Sequence, residues 1–493
     1  MNSFTDATPG EIDTVMKNAA AAYPLYSKTS AEQKAAFLET IASEIDSLGD
    51  SLITRASEET NLPAARLLGE RARTTMQLRM FAEMLREGSF VEASIDTAKP
   101  DRKPLPRADI RKMLIPIGPI VVFGASNFPF AYSTAGGDTA SALAAGCPVV
   151  VKAHPAHPKT SVSVYNAILT AIDKCNMPAN VFQHVHGASV ESGKALVEHP
   201  LTAGVGFTGS LSGGRALFDY ASQRSRPIPV FAEMSSVNPV VFFSDTLAKN
   251  APALAKMYSD SISLGMGQFC TNPGIMIAVE SEGLTNFIQH LDNEFSQVQP
   301  AKMLHQGIHK SYFEKMGVVI HEPGVTVLQQ SVKQPAELEA YPTIAAVPGQ
   351  EFLQNPTLHE EVFGPYSLLI KCRDQEELLQ VWKSLKGQLT TSIMATDADL
   401  SAHPEIISIA TQVAGRIVFN SVPTGVEVCP SMVHGGPYPA CTDSRFSAVG
   451  ITAVKSWLRP VCFQNCPQEL LPDELKDGNP RGIWRMEDNA MVR

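Results

Sequence analysis

Apolar positions in the first hundred residues recur at helical spacing. Phe37, Leu38, Ile41, Ile45 and Leu48 fall on one face of a 3.6-residue period. Two capping signatures open helices here: Thr8-Pro9-Gly10-Glu11, with proline at the first helical position, and Ser30-Ala31-Glu32-Gln33. Residues 1–98 therefore read as helical. Residues 99–111 break the pattern. Lys99-Pro100-Asp101-Arg102-Lys103-Pro104-Leu105-Pro106 is proline-rich and basic, which predicts an exposed linker or edge segment rather than a core strand.

From residue 114 the period changes. Short β-branched runs (Ile115–Phe123, Cys147–Ala153, Asn180–His186, Ala203–Phe207, Pro229–Ala232) alternate with helical stretches (Ser133–Ala145, Lys159–Asp173, Val190–Glu198, Leu211–Gln223). Strand and helix in repeated alternation predict an α/β fold with a doubly wound parallel sheet. Ligands of such sheets sit beyond the carboxyl ends of the strands. Asn127, Lys152, Gly187 and Gly209 all follow predicted strands, so they are expected along one edge.

A second α/β block runs from about 235 to 425, with Gly274–Val279, Pro365–Lys371, Leu389–Ala395 and Gly415–Phe419 as strands. The division expected is residues 1–234 for the N-terminal helices and a ligand-binding sheet, and 235–425 for a second domain. Residues 426–493 then return to the first. The last ~25 residues, around Leu471-Pro472-Asp473-Glu474, read as a surface tail or arm. A pocket is expected in the crevice between the two domains.

Composition narrows the classes. The chain has 493 residues, 44% of them apolar and 18% charged, ordinary for a multidomain globular protein. No charge-free apolar run reaches ~18 residues, so no membrane span is expected. Met1-Asn2-Ser3-Phe4-Thr5-Asp6 lacks the basic start of a secretory signal, which favours a cytoplasmic protein. A formal charge of −10 argues against nucleic acid or an anionic membrane as partner. The eight cysteines (Cys147, Cys175, Cys270, Cys372, Cys429, Cys441, Cys462 and Cys466) form no CxxC pair and no zinc spacing with histidine, so neither a metal site nor a disulfide framework is expected.

Candidate chemistry centres on Cys270, in Gly265-Met266-Gly267-Gln268-Phe269-Cys270-Thr271-Asn272. Most free cysteines are small buried hydrophobes, but these glycine-rich, polar flanks suit an exposed thiol. A thiolate adding to an aldehyde gives a thiohemiacetal, which is a hydride donor. Glu233 ends a β-run and is a candidate general base, a role that partial burial would favour. Asn127, after Gly124-Ala125-Ser126, is a candidate donor to an oxyanion, together with the Cys270 N–H. Lys152 ends a buried-looking strand and is either a snorkelling edge residue or a ligand for ribose hydroxyls or a 2′-phosphate. Phe207-Thr208-Gly209-Ser210-Leu211-Ser212-Gly213-Gly214 spaces Gly209 and Gly214 across a helix start, where phosphates are favoured. It is not the GxGxxG fingerprint. Glu360-Glu361-Val362-Phe363-Gly364-Pro365 is either a charged loop entering a strand or a ligand-contacting stretch through Glu361 and Phe363.

Together these segments resemble the aldehyde dehydrogenase superfamily over essentially the whole chain. The motifs Phe207-Thr208-Gly209-Ser210, Glu233 with Asn238-Pro239, Gly267-Gln268-Phe269-Cys270 and Glu361-Val362-Phe363-Gly364-Pro365 occur in its order. The resemblance implies an NAD(P)-binding domain, a catalytic domain and a small β oligomerisation arm using residues near 99–113 and the tail, in homodimers or homotetramers. It implies Cys270 as nucleophile, Glu233 as base and Asn127 as oxyanion donor. It implies a cofactor site of Ser126, Lys152, His154, Gly187, Thr208, Gly209, Ser210, Gly214, Met234, Glu361 and Phe363. Phe128, Gln268, Phe269 and Arg445 are the candidates for the substrate pocket. Within the superfamily, Ala125–Phe130, residues 136–148, Lys152–Pro158, Phe419–Gly436 and Leu471–Lys476 are most similar to 2-oxoglutarate semialdehyde (2,5-dioxovalerate) dehydrogenases.

Two departures bear on the cofactor. Pro155 stands where NAD-preferring members often carry a glutamate that repels a 2′-phosphate, yet Gly187–Ser192 lacks the arginine of some NADP-preferring relatives. NADP or NAD is expected, with a lean to NADP. Met234-Ser235-Ser236 replaces the frequent Leu-Gly-Gly. The expected reaction converts an acid-bearing aldehyde, NAD(P)+ and water to a carboxylate. The competing readings are a CoA-acylating dehydrogenase, a silent binding protein of the same fold and a cysteine-dependent esterase.

Overall fold

The computed structural model describes residues 4–330 and 335–493; Met1–Ser3, at the start of the N-terminal stretch considered above, lie outside the described residues. Four helices open the chain: Pro9–Tyr26, Ala31–Ser47, Gly49–Thr60 and Ala64–Glu87. Both predicted capping boxes form, with Thr8 and Glu11, and Ser30 and Gln33, exchanging bonds between side chain and backbone.

Five parallel strands make the first sheet, in the order Phe182–Val185, Val149–Lys152, Ile120–Phe123, Gly204–Thr208, Val230–Glu233. The chain order reverses between Ile120–Phe123 and Gly204–Thr208, the switch point at which a crevice opens beyond the strand ends. Successive side chains alternate between two dry layers. Val121, Val150 and Val205 pack with Ile12, Met16 and Leu217. Ile120, Val122, Val149 and Val151 pack on the other face with Leu38, Phe81, Leu143 and Ile168. Burial on both faces explains why these strands read as unbroken apolar runs.

The predicted Ile115–Phe123 strand is two strands. Ile110–Pro116 belongs to a different sheet from Ile120–Phe123, because Gly118 takes φ 132° and Pro119 supplies no N–H to either ladder.

The second sheet has seven strands in the order Thr326–Gln330, Thr343–Pro348, Tyr366–Cys372, Ile275–Val279, Val240–Phe242, Gln388–Met394, Ala414–Phe419. Only the first pairing in that order is antiparallel. The third sheet gathers distant pieces: Leu458–Gln464, Ile110–Pro116, Ser94–Asp96, Arg485–Glu487 and Ala490–Val492. Two buried arginines tie the tail to it, with Arg111 donating to the carbonyl of Leu475 (2.6 Å) and Arg485 to that of Lys476 (2.7 Å). The segment Lys99–Pro106 is exposed, as its prolines and basic residues predict. Among the described residues no helix is long and apolar enough to cross a membrane.

Trp457 joins the returning chain to the first sheet. It is 1% exposed, its ring meets Phe231 edge-on at 5.3 Å, and its Nε1 donates to Ser141 Oγ at 2.8 Å. Trp457→Ala is expected to cost about 3–5 kcal/mol, read as an earlier first transition in urea unfolding. A loss below about 1 kcal/mol would show that this contact is not part of the core.

Candidate active site

The site forms where the chain leaves the first sheet for the second. Val230–Glu233 is the last strand of the five-stranded sheet, and residues 234–239 lead directly into Val240–Phe242 of the seven-stranded one. Cys270 follows a tight turn at Leu264–Gly267, in which Gly265, Met266 and Gly267 take φ of 54°, 54° and 61°. A Cβ on Gly267 would lie 2.2 Å from the carbonyl oxygen of Gly364, so only glycine fits there.

Asn238 clamps the two segments together. It is fully buried, and its Nδ2 donates to the carbonyls of Ser236 (3.2 Å), Cys270 (2.8 Å) and Asn272 (2.9 Å). Its Oδ1 accepts from Ser236 Oγ and Thr390 Oγ1. Gln388 Oε1 accepts from Val237 N at 2.7 Å and from Ser236 Oγ at 2.9 Å.

Three reactive groups converge beside this clamp. Cys270 Sγ lies 3.4 Å from His434 Nε2, and the same nitrogen lies 3.1 Å from Glu233 Oε1. Glu233 is 4% exposed and His434 1%. Neither Glu233 oxygen has a hydrogen-bond partner among the described residues, so its approach to His434 is a contact without hydrogen-bond alignment, open to a water. Burial, and then the Glu233 carboxylate, push the Cys270 thiol well above its ordinary pKa, while Arg73 acts in the opposite sense. The sulfur, nitrogen and oxygen lie within 4.8 Å of one another, a donor set suited to a metal ion as well as to proton exchange. Cysteine and histidine spacing gave no sign of this cluster, because the three residues come from three separate passes of the chain. Asn127, 8% exposed, donates from Nδ2 to the Gln268 carbonyl at 3.2 Å, which places its amide on the loop that carries Cys270.

A cavity of about 360 Å³ opens in front of these groups. Asn127, Glu233 and Cys270 line it, and so do Ser126, His154, Thr208, Gly209, Ser210, Met234, Glu361 and Phe363 from the expected cofactor set. Ser210 caps the helix Leu211–Ser222 by accepting from Gly213 N at 3.1 Å, so that helix starts at the cavity wall. Burial raises the Glu361 carboxyl and lowers the His154 imidazole well below its usual range. The other three expected cofactor residues are not on the lining. Lys152, its pKa lowered by burial, donates to the Gly187 carbonyl. A Cβ on Gly187 would strike Ser192 Oγ. Gly214 packs under Met234, where a Cβ would come within 2.6 Å of Met234 Cγ.

The expected substrate residues separate. Phe128 and Phe269 meet edge-on at 5.8 Å beside Cys270. Gln268 is 1% exposed, and its amide is used in bracing the loop, donating to Gly265 O (3.0 Å) and accepting from Leu304 N (2.9 Å). Arg445 is not brought to the site. Its side chain is 79% exposed and pairs with Asp443 two residues away, because it lies on the outer side of the returning loop. Four residues not singled out in the sequence stand here instead: His434, Tyr132, Arg66 and Arg73. Arg66 and Arg73 are seven apart on the helix Ala64–Glu87, a spacing that puts them on one face, and that periodicity was the available signal.

A sequence profile described as "Aldehyde dehydrogenase family" matches residues 1–437. The chain is 46% identical to "Alpha-ketoglutaric semialdehyde dehydrogenase 2" of Azospirillum brasilense over 485 residues, covering 98% of this chain and 92% of that protein. It is also 46% identical to "Alpha-ketoglutaric semialdehyde dehydrogenase" of Acinetobacter baylyi over 491 residues, covering 99% and 93%. Among solved structures, a 1-pyrroline-5-carboxylate dehydrogenase superposes with a TM-score of 0.77 at 18% identity, covering 93% of this chain and 86% of that one, a likeness of fold.

The raised thiol has a pH consequence. Below its pKa the thiolate fraction grows about tenfold per pH unit. Alkylation of Cys270 by iodoacetamide without dinucleotide, followed by mass spectrometry of its peptide, is therefore expected to accelerate continuously from pH 6 to beyond pH 9. A plateau below pH 8 would show that burial and Glu233 do not hold the proton on sulfur.

Proposed function

This chain belongs to the aldehyde dehydrogenase family of NAD(P)-dependent enzymes, and from that premise we propose that it oxidises 2-oxoglutarate semialdehyde (alpha-ketoglutaric semialdehyde) to the dicarboxylic acid. The observation that carries this reading is a half-buried thiol beside a buried imidazole and carboxylate, facing a cavity that opens at a helix N-terminus. Near-half identity over the full chain to two enzymes named for this aldehyde supports the substrate.

In this reading Cys270 Sγ bonds to the aldehyde carbon. Its proton passes to His434 Nε2, and the Glu233 carboxylate stabilises the imidazolium that results. The carbonyl oxygen becomes an oxyanion held by the Cys270 N–H and by Asn127, whose Nδ2 carries a second proton besides the one given to Gln268 O. One such donor lowers the barrier by about 3 kcal/mol. The bound dinucleotide supplies the hydride acceptor, and the carbon left on Cys270 is a thioester. Glu233, with both oxygens unpartnered, then takes a proton from the water that attacks this thioester. The acid departs and the thiol is restored. Holding the adduct rigidly beside its reaction partner supplies much of the rate.

Helix N-terminal N–H groups after Ser210 suit the dinucleotide phosphates. Ser126, Thr208, Gly209, Glu361 and Phe363 would bound it, with Lys152 and Gly187 at the adenosine end. The lean to NADP rests on Pro155, which puts no carboxylate where a 2′-phosphate would be repelled. A cytoplasmic homo-oligomer fits the third sheet, where Leu458–Gln464 forms an edge strand with exposed side chains. The CoA-acylating alternative loses ground because Glu233, the base that such relatives generally lack, is present at the site.

The test is NAD(P)H absorbance with 2-oxoglutarate semialdehyde and each dinucleotide, with and without CoA. Turnover independent of CoA is expected. Cys270→Ser should lower kcat by roughly 10³-fold or more. Glu233→Gln should keep a first-turnover burst of NAD(P)H while steady turnover falls by about 10²- to 10⁴-fold. Near-normal turnover by the serine variant would refute the mechanism, and an absolute need for CoA would refute hydrolysis.

A further inference from the structure

Beside the thiol, but off the dinucleotide cavity, two guanidinium groups stand among aromatic rings. Arg66 lies over Phe269 at 4.7 Å and Phe128 at 5.0 Å, and Arg73 lies over Tyr132 at 5.7 Å and Phe128 at 6.0 Å. Both come from the helix Ala64–Glu87, two turns apart. Burial lowers Arg66, but an arginine keeps its charge. Resting on the reading of an acid-bearing aldehyde as substrate, we propose that Arg66 and Arg73 form the subsite that receives the carboxylate at the far end of that aldehyde.

Unused donors support this first. Arg66 Nη1 and Arg73 Nε are buried and have no partner among the described residues. Buried N–H groups left unmade are costly, and a carboxylate carries two oxygens that can accept from separate donors. The second support is charge. The one buried acid between them, Glu70, gives one oxygen to the N–H groups of Phe130 and Ala131 (2.8 and 3.0 Å). Arg66 and Arg73 thus stand as two cations against one buried acid on their own helix. The third is position. Arg66 Nη2 donates to the backbone carbonyl of Asn127 at 2.6 Å, and the side chain of Asn127 reaches the Cys270 loop. Tyr132 bridges the other arginine to the reactive cluster: Arg73 Nη2 is 3.5 Å from its hydroxyl, and its ring centroid is 6.3 Å from that of His434. An aldehyde gripped here by its acid end would present its carbonyl toward Cys270, while the rings exclude water and strengthen the grip.

The two arginines also brace the loop, so rate alone does not separate binding from support. The ratio of kcat/KM for 2-oxoglutarate semialdehyde to kcat/KM for propanal does, because a folding or loop defect lowers both. Arg73→Met and Arg66→Met are each expected to lower this ratio by about 10- to 100-fold. Arg73→Lys should recover part of it. Glutarate, which carries two carboxylates and no aldehyde, should inhibit the wild type competitively and lose affinity by a similar factor in the methionine variants. A ratio that stays within about threefold in both variants would overturn the subsite. That outcome differs from failure of the proposed function, in which the wild type itself would not oxidise the semialdehyde.

Discussion

The buried amide of Asn238 is the constraint on which the site depends. Glu233 ends a strand of one sheet, and Cys270 precedes a strand of the other. Two separate sheets do not by themselves hold a carboxylate and a thiol in register. Asn238 does so by donating to the backbone carbonyls on both sides of the seam while its own oxygen is filled by Ser236 and Thr390. Each of these carbonyls, left without a donor at that depth, costs about 1–3 kcal/mol. The network is therefore cooperative: the loop that presents the sulfur is held by the same amide that fixes the exit from the acid's strand.

That rigidity carries an electrostatic cost. Burial and the neighbouring Glu233 carboxylate both disfavour ionisation of the thiol. His434 Nε2 is in contact with both groups, 3.4 Å from the sulfur and 3.1 Å from Glu233 Oε1. Arg73 adds a more distant positive charge across Tyr132. The cavity in front of the sulfur is lined by Glu233, Glu361 and Lys315 and by the start of the helix Leu211–Ser222. Under the proposed subsite, an anionic substrate would lie toward the arginines and the cofactor phosphates toward the start of that helix.

Much of this was legible in the chain. Strands buried on both faces leave continuous β-branched runs, so Val149–Lys152 and Gly204–Thr208 were visible. Val240–Phe242 was missed because three residues after a proline carry too little pattern, and Thr343–Pro348 because its alanines read equally as helix. Cys270, Glu233 and Asn127 each carry a local signature, glycines or small polar residues at a strand end. His434 carries none: it sits in an irregular stretch, and its meaning comes only from what it faces. The arginines were obscured in another way. A polar residue on a helix reads as solvent-facing, and nothing local shows that the next layer is a ring of aromatics rather than water.

The route by which His434 reaches the sulfur also explains why the last sixty residues cannot be a passive tail. The chain returns from the seven-stranded sheet and pairs against the exit strand of the five-stranded one. Met234 N donates to Ala440 O at 2.7 Å, Thr442 N to Ala232 O at 3.1 Å, and Glu233 forms an antiparallel bridge with Cys441. This pairing closes the edge of the first sheet and sets the depth of Glu233. It also carries His434, six residues before Ala440, over the thiol. The serines that follow Met234 fit this arrangement. Ser235 Oγ accepts from Leu211 N and Ser236 Oγ donates to Gln388, so polar side chains do here what tight backbone turns would do with glycine. The acid, the start of the helix Leu211–Ser222 and the returning strand are thus fixed by one short stretch of sequence, and the Cys270 sulfur is placed against that stretch.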